Sequence, residues 1–129
     1  MNQALNVLLV EDSEDDAWMI LREFEKQGMR VNSERVQSSA ALNDALDRQT
    51  WDVVISDYRM PRFSGMTALA IVRTRFPKLP FILLSGVIEE RVANVAMMTG
   101  ASAFTAKHNI HQLMPIVKRE LKHAAAMVG

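Results

Sequence analysis

The chain has 129 residues, of which 49% are hydrophobic and 23% charged, a size and composition that indicate one domain with its own core. Fifteen basic residues balance fifteen acidic ones, which gives no electrostatic signature for direct binding to nucleic acid or to a membrane surface. The absence of cysteine excludes disulfides and thiolate zinc sites, and the lack of a signal peptide or a membrane-spanning apolar run predicts a cytoplasmic location.

The first third of the chain predicts a strand, a helix and a second strand. Asn6–Val10 is a continuous apolar run, typical of a strand buried on both faces. Ser13 is expected to cap the helix, with Asp16 as its capping-box partner, and Met29–Val36 is polar enough for an edge strand. The apolar face of the helix is marked by Ala17, Ile20, Leu21 and Phe24. The acids of its first turn, which the helix dipole favours, are Glu14, Asp15 and Asp16.

The rest of the chain continues this alternation. Asp52–Ser56 and Phe81–Ser85 are further continuous apolar runs, and Ser102–Phe104 is a weaker strand candidate. Pro77 ends the third helix and Gly100 the fourth. The apolar positions that mark the last four helices are Leu42, Ala45 and Leu46; Leu69, Val72 and Phe76; Val92, Val95 and Ala96; and Leu113, Met114, Val117 and Leu121. Five strand–helix units in this order predict a parallel sheet between layers of helices.

Polar side chains stand where the predicted strands end. Glu11 and Asp12 follow the first strand, Asp57 the third, Ser85 ends the fourth, and Lys107 follows the fifth. In the strand order 2-1-3-4-5 the first and third strands are neighbours, about 4.8 Å apart, so the three carboxylates would crowd one rim. Carboxylates that close require a cation, and Mg²⁺ prefers such oxygen ligands together with phosphate. Each residue alone would be an ordinary loop residue, but together they predict a phosphate pocket with a nucleophilic carboxylate.

Four segments then resemble the receiver domain of two-component response regulators, of the chemotaxis-regulator type. They are "LLVEDSEDDA" (Leu8–Ala17), "DVVISDYRMPRFSGM" (Asp52–Met66), "FILLSG" (Phe81–Gly86) and "GASAFTAK" (Gly100–Lys107). An acidic pair, D-x-x-M-P-x-x-x-G, a hydroxyl residue and a lysine, in that order, form a specific combination. The resemblance covers essentially the whole chain. It implies a flavodoxin-like, doubly wound (βα)5 fold with a five-stranded parallel sheet in the order 2-1-3-4-5.

The resemblance also implies a phosphoacceptor and a metal site. Asp57 would take a phosphoryl group from a sensor histidine kinase or a phosphotransfer protein. Asp12 would bind Mg²⁺ (or Mn²⁺) directly and Glu11 through water, with Asp57 and the backbone carbonyl of Arg59 as the other protein ligands. Apart from taking its own phosphoryl group and losing it again, such a domain is not an enzyme.

A switch is implied by the same resemblance. Ser85 would hydrogen-bond the phosphoryl oxygens, Lys107 would pair with them, and Phe104 occupies the aromatic switch position. Arg59 and Val87 stand where the family tunes the rate of dephosphorylation. The face formed by the fourth helix, fifth strand and fifth helix would then change and control an output domain or a partner, or support a homodimer formed on phosphorylation.

One residue departs from the family pattern. His108 follows Lys107 where proline after a cis peptide is common, so we expect a trans peptide and a different loop. We expect residues 1–129 to form a single receiver domain. Such a domain can stand alone or form the N-terminal part of a longer regulator. Two alternatives stay open: the same fold used as a docking module without phosphorylation, and an aspartate-nucleophile phosphohydrolase, which the missing D-x-D motif after the first strand disfavours.

Overall fold

Strands and helices alternate along the whole described chain. The computed structural model describes residues 4–86 and 90–128. The elements are β1 (Leu5–Val10), α1 (Glu14–Lys26), β2 (Val31–Val36), α2 (Ser39–Arg48), β3 (Val53–Asp57), α3 (Gly65–Arg75), β4 (Phe81–Ser85), α4 (Glu90–Thr99), β5 (Ala103–Ala106), a 3₁₀ helix (Lys107–Gln112) and α5 (Leu113–Val128). All strands are parallel, in the order β2-β1-β3-β4-β5. The flavodoxin-like fold and its strand order are therefore confirmed.

Alternate side chains of each central strand enter two separate apolar cores. Leu8 and Val54 pack into a cluster beneath α2, α3 and α4, whereas Leu9 and Ile55 pack into a second cluster beneath α1 and α5. Because successive residues of a strand point to opposite faces, a sheet covered on both faces needs apolar residues at every position. This explains the continuous apolar runs in the sequence.

The register of the sheet aligns the ends of the strands. Val10 of β1 pairs with Ser56, and Asp57 pairs with Leu84. Ser85 in turn pairs with Ala106, the last residue of β5. The residues at or just beyond these positions therefore lie along one edge of the sheet, at the carboxyl ends of the strands.

Some predicted details differ from the structure. β5 begins one residue later than the weak run Ser102–Phe104 and continues to Ala106. α3 ends at Arg75, so Phe76 caps the helix and is 38% exposed, and Val95 on α4 is 49% exposed. The predictions that these two residues belong to buried helix faces were wrong. All peptide bonds of the described residues are trans, including the one before His108, and the 3₁₀ helix follows there.

None of the helices in the described ranges combines the length and the apolar character that crossing a membrane requires.

Arg73 joins three segments at the opposite edge of the sheet. Its guanidinium donates to the carbonyl oxygens of Gly100 and Leu79, both at 2.6 Å, and of Phe76 at 3.2 Å. A further nitrogen lies 3.3 Å from Ser102 Oγ. Burial lowers the pKa of this side chain, and its hydrogen bonds to carbonyl groups offset the cost of placing it there.

We expect Arg73→Ala to lower the free energy of unfolding by about 2 kcal/mol, because several carbonyl groups lose a charged donor. Urea denaturation followed by circular dichroism measures this value. Arg62→Ala is the matched control, since Arg62 is exposed and its loss is expected to change stability by less than about 0.5 kcal/mol. Equal stability of the two variants would contradict the role assigned to Arg73.

Candidate functional site

Three carboxylates meet at the carboxyl edge of the sheet. Glu11 and Asp12 follow β1, and Asp57 is the last residue of β3. One oxygen from each of the three lies within 4.8 Å of the others. Glu11 and Asp57 are buried, with 1% and 7% exposure, whereas Asp12 is exposed. The structure therefore brings together the acids that the sequence predicts as metal ligands.

Lys107 completes this cluster from the far side. It directly follows β5, and its Nζ lies 2.9 Å from Glu11 Oε1 and 3.2 Å from Asp57 Oδ2. A third carboxylate, Asp16 of α1, is nearer still at 2.6 Å. One ammonium group thus faces three carboxylates, so the cluster carries an excess of negative charge.

The remaining predicted residues lie on β4, on β5 and in the loop after β3, or fall outside the described ranges. Ser85 ends β4 at the same edge and is buried, with 3% exposure. Phe104 on β5 is half-buried and packs against the core beneath α2, α3 and α4. Arg59 is exposed in the loop after β3, and its guanidinium lies 5.8 Å from the centre of the Tyr58 ring. Val87 lies outside the described residues.

Burial sets the electrostatics of the two inner acids. It raises the pKa of Glu11 to about 7, the neighbouring Asp57 adds to this shift, and Lys107 opposes it. Burial also raises the pKa of Asp57, again against the effect of Lys107. For Lys107 itself, burial lowers the pKa, but hydrogen bonds to Asp16 and Glu11 outweigh it and leave the pKa above its usual value. The lysine is therefore charged, while the buried carboxylates are only partly compensated.

The donor set of the cluster fits a hard divalent cation. Glu11 Oε1 is fully buried and faces the ammonium of Lys107 at 2.9 Å, but that ammonium is shared with Asp16 at 2.6 Å and Asp57 at 3.2 Å. One ammonium shared among three carboxylates leaves negative charge in a partly buried site, which a bound cation would offset. The side-chain ligands that the described residues offer in this cluster are carboxylate oxygens, which Mg²⁺ prefers and softer metals do not. The residues present therefore fit Mg²⁺.

Two residues that sequence reasoning missed shape this site. Arg35 of β2 donates to the carbonyl oxygens of Glu11 at 3.2 Å and Asp12 at 3.4 Å, and so holds the loop that carries both acids. From the sequence, Asp16 has only the features of a capping and first-turn acid. Its amide donates to Ser13 Oγ at 3.2 Å, so the prediction that Ser13 caps the helix is confirmed. The prediction that Asp16 completes a capping box was wrong, because the amide of Ser13 donates to Glu11 Oε2 at 3.2 Å and the Asp16 carboxylate accepts from Lys107. Arg35 stands near the end of the predicted edge strand, beside the end of β1. That position could have predicted a contact with the loop that carries Glu11 and Asp12.

The fold and the site together define a class of protein: a flavodoxin-like domain with an acidic cluster and a lysine at the carboxyl ends of its strands. The chain belongs to the response regulator receiver domain family, whose model matches residues 7–118. Members of this family are signalling domains rather than classical enzymes.

Relatives in sequence agree with this family assignment. The chain is 34% identical over 109 residues to the response regulator protein FleR of Pseudomonas aeruginosa, covering 81% of this chain and 22% of FleR. It is 27% identical over 119 residues to the DNA-binding transcriptional regulator NtrC of Proteus hauseri, covering 92% and 25% of the two chains. This chain thus spans about a quarter of the length of the curated relatives it matches.

Two solved structures share the fold. A response regulator receiver domain protein from Clostridium thermocellum superposes with a TM-score of 0.83 at 24% identity, covering 95% of this chain and 98% of that one. The receiver domain of a signal transduction histidine kinase from Syntrophus aciditrophicus gives a TM-score of 0.78 at 27% identity, with 93% and 92% covered. Receiver domains from different kinds of signalling protein therefore have this architecture.

The raised pKa of Glu11 predicts a pH dependence of stability. Between pH 4.5 and about 7 the folded protein binds more protons at Glu11 than the unfolded chain does, so this group contributes stability at low pH that is lost as the pH rises through about 7. Without metal, we expect the stability advantage of Glu11→Gln over wild type to grow from about pH 5 to about pH 8. Urea denaturation at each pH measures that difference.

Glu14→Gln is the control for this prediction, because the Glu14 side chain is 87% exposed and should leave the pH profile of the wild type unchanged. Saturating Mg²⁺ is expected to stabilise the wild type at pH 8, since a metal ion held by the deprotonated acids would favour the folded state. A difference between Glu11→Gln and wild type that does not vary with pH would contradict the shift.

Proposed function

We propose that this chain is the phosphoacceptor domain of a cytoplasmic two-component response regulator. A phosphohistidine on a sensor histidine kinase or a phosphotransfer protein would supply the phosphoryl group, and Asp57 would accept it. The observation that carries the proposal is the position of the Asp57 carboxylate. It ends a buried strand, shares a cluster within 4.8 Å with Glu11 and Asp12, and lies 3.2 Å from Lys107.

The proposed step is a displacement at phosphorus. A carboxylate oxygen of Asp57 forms the new P–O bond, the P–N bond to the donor histidine breaks, and its electron pair remains on the imidazole nitrogen. Lys107 offsets charge on the phosphoryl oxygens. Mg²⁺, held by Asp12, Glu11, Asp57 and the carbonyl of Arg59, would supply further charge neutralisation when bound. The rigid strand fixes the nucleophile, because β3 is buried along its whole length.

The switch that follows would act through β4 and β5. Ser85 would donate its hydroxyl to a phosphoryl oxygen, which draws the end of β4 toward the site and leaves room for Phe104 to move. Phe104 has no hydroxyl group, so its part depends on packing alone. For this to work, the phosphoryl group must interact more strongly with the active arrangement than with the inactive one. Arg59 and Val87 are proposed to set how long the phosphoryl group persists.

The α4–β5–α5 face is the proposed output surface. Three apolar side chains of α4 are exposed, Val95 at 49%, Met97 at 47% and Met98 at 87%. Apolar side chains grouped on one exposed helix favour a protein partner, such as an output domain or a second copy that pairs on phosphorylation. The longer relatives include DNA-binding transcriptional regulators. In a protein of that kind, this surface would control the DNA-binding output.

Phosphoryl uptake from a small donor tests the proposal. The purified protein is incubated with acetyl phosphate and Mg²⁺, and its intact mass is measured. We expect one phosphoryl group per chain, lost in alkali as expected for an acyl phosphate, and none when a chelator removes the metal. A wild-type protein that stays unmodified at saturating donor and Mg²⁺ would contradict the proposal and favour the docking module without phosphorylation.

A further inference from the structure

Of the carboxylates in the described part of the chain, Asp16 lies nearest to Lys107. Lys107 Nζ lies 2.6 Å from Asp16 Oδ2, compared with 2.9 Å from Glu11 and 3.2 Å from Asp57. Asp16 reaches the lysine from the first turn of α1, ninety-one residues away in the chain. Among the described residues, Asp16 is not part of the carboxylate cluster whose oxygens lie within 4.8 Å of one another. Its contact in the site is therefore with the lysine and not with the metal ligands.

The three partners of Lys107 differ in how easily they can give it up. The Asp16 side chain is 40% exposed, whereas those of Glu11 and Asp57 are 1% and 9% exposed. Water can solvate Asp16 when the ammonium leaves, so breaking this pair costs little. A buried carboxylate that loses this ammonium is much less accessible to water, so breaking its pair costs more. Asp16 is thus the partner from which Lys107 can most readily be withdrawn.

We propose that Asp16 is a positioning residue that holds Lys107 in the unphosphorylated protein and competes with the phosphoryl group for it. This inference rests on the proposed function of Asp57. A phosphoryl group on Asp57 adds negative charge beside the ammonium, and the flexible lysine stem lets Nζ turn from α1 toward it. Asp16 therefore favours the unphosphorylated arrangement, and its charge sets how strongly the site binds a phosphoryl group.

Beryllium trifluoride, an analogue of the phosphoryl group, allows this competition to be measured at equilibrium. Its affinity is determined at saturating Mg²⁺ for the wild type and for Asp16→Asn, which keeps the side-chain shape and removes the charge. We expect binding to Asp16→Asn to be about fivefold tighter, the range of a partly exposed ion pair. Asp15→Asn is the matched control: it removes the same charge from the same turn at an exposed position, and we expect it to change the affinity less than twofold.

A double-mutant cycle with Lys107→Ala separates competition for the lysine from a general effect of charge. In the Lys107→Ala background, Asp16→Asn is expected to have no effect on the affinity for beryllium trifluoride. The proposal is overturned if Asp16→Asn binds like the wild type, if Asp15→Asn has the same effect, or if the effect persists without Lys107. A wild-type protein that binds no beryllium trifluoride with Mg²⁺ would instead overturn the proposed function, and this inference with it.

Discussion

Asp57→Asn is expected to reduce phosphoryl uptake from acetyl phosphate to below about 1% of the wild-type level, because the carboxylate that would form the acyl phosphate is gone. The neutral amide has nearly the same shape and fills the same space at the end of β3, which is buried along its length. The fold should therefore persist, and the loss should reflect chemistry. Intact mass measurement of the protein after incubation with donor and Mg²⁺ checks this result.

Asp52→Asn is the matched control for Asp57→Asn. Asp52 stands directly before β3, at the opposite edge of the sheet, where it is exposed and accepts a hydrogen bond from the amide of Asn6 at 2.8 Å. The same chemical change there should leave phosphoryl uptake at the wild-type level. Uptake that survives in Asp57→Asn and is lost in another acidic variant would place the nucleophile elsewhere.

The fold could be predicted from the sequence because burial on two faces leaves a simple pattern. A strand that enters two cores must be apolar at every position, as in the central residues Val7–Val10 and Val53–Ile55. Alternation of such runs with helices leaves few topologies for a parallel sheet. Once the order of strands is set, residues at their carboxyl ends must meet, which is why Asp57 and Lys107 could be placed together although fifty residues separate them.

The details that escaped prediction depend on contacts between elements. Asp16 satisfies every local rule for a first-turn acid, and only the packing of α1 against the 3₁₀ helix that begins at Lys107 brings the two charges within 2.6 Å. Phe76 and Val95 have the spacing of buried helix residues but are exposed. Periodicity identifies which residues share a helix face, and it does not indicate how far a neighbouring element covers that face.

Gly65 shows how backbone packing constrains the loop beside Asp57. It is the first residue of α3, and its amide donates to the carbonyl oxygen of Tyr58 at 2.9 Å. A Cβ at this position would lie 2.4 Å from the carbonyl oxygen of Asp57, 2.6 Å from Leu83 Cδ1 and 2.9 Å from Tyr58 Cα. Two of these atoms belong to the backbone, so they cannot move aside by a change of rotamer. The D-x-x-M-P-x-x-x-G spacing thus has a steric basis, the return of α3 onto the end of β3.

We expect Gly65→Ala to lower the free energy of unfolding by about 2–3 kcal/mol, the usual cost of overpacking a site that cannot relax. Because the clash falls on Asp57 and Tyr58, relief of the strain should also displace the phosphoacceptor, and phosphoryl uptake should slow in the fraction that remains folded. Gly86→Ala is the control: among the described residues beyond its chain neighbours, no atom lies within 4 Å of the added Cβ, so the stability of this variant should change by less than about 0.5 kcal/mol. Urea denaturation of both variants decides the matter, since equal midpoints would mean that α3 can shift away from β3 at little cost.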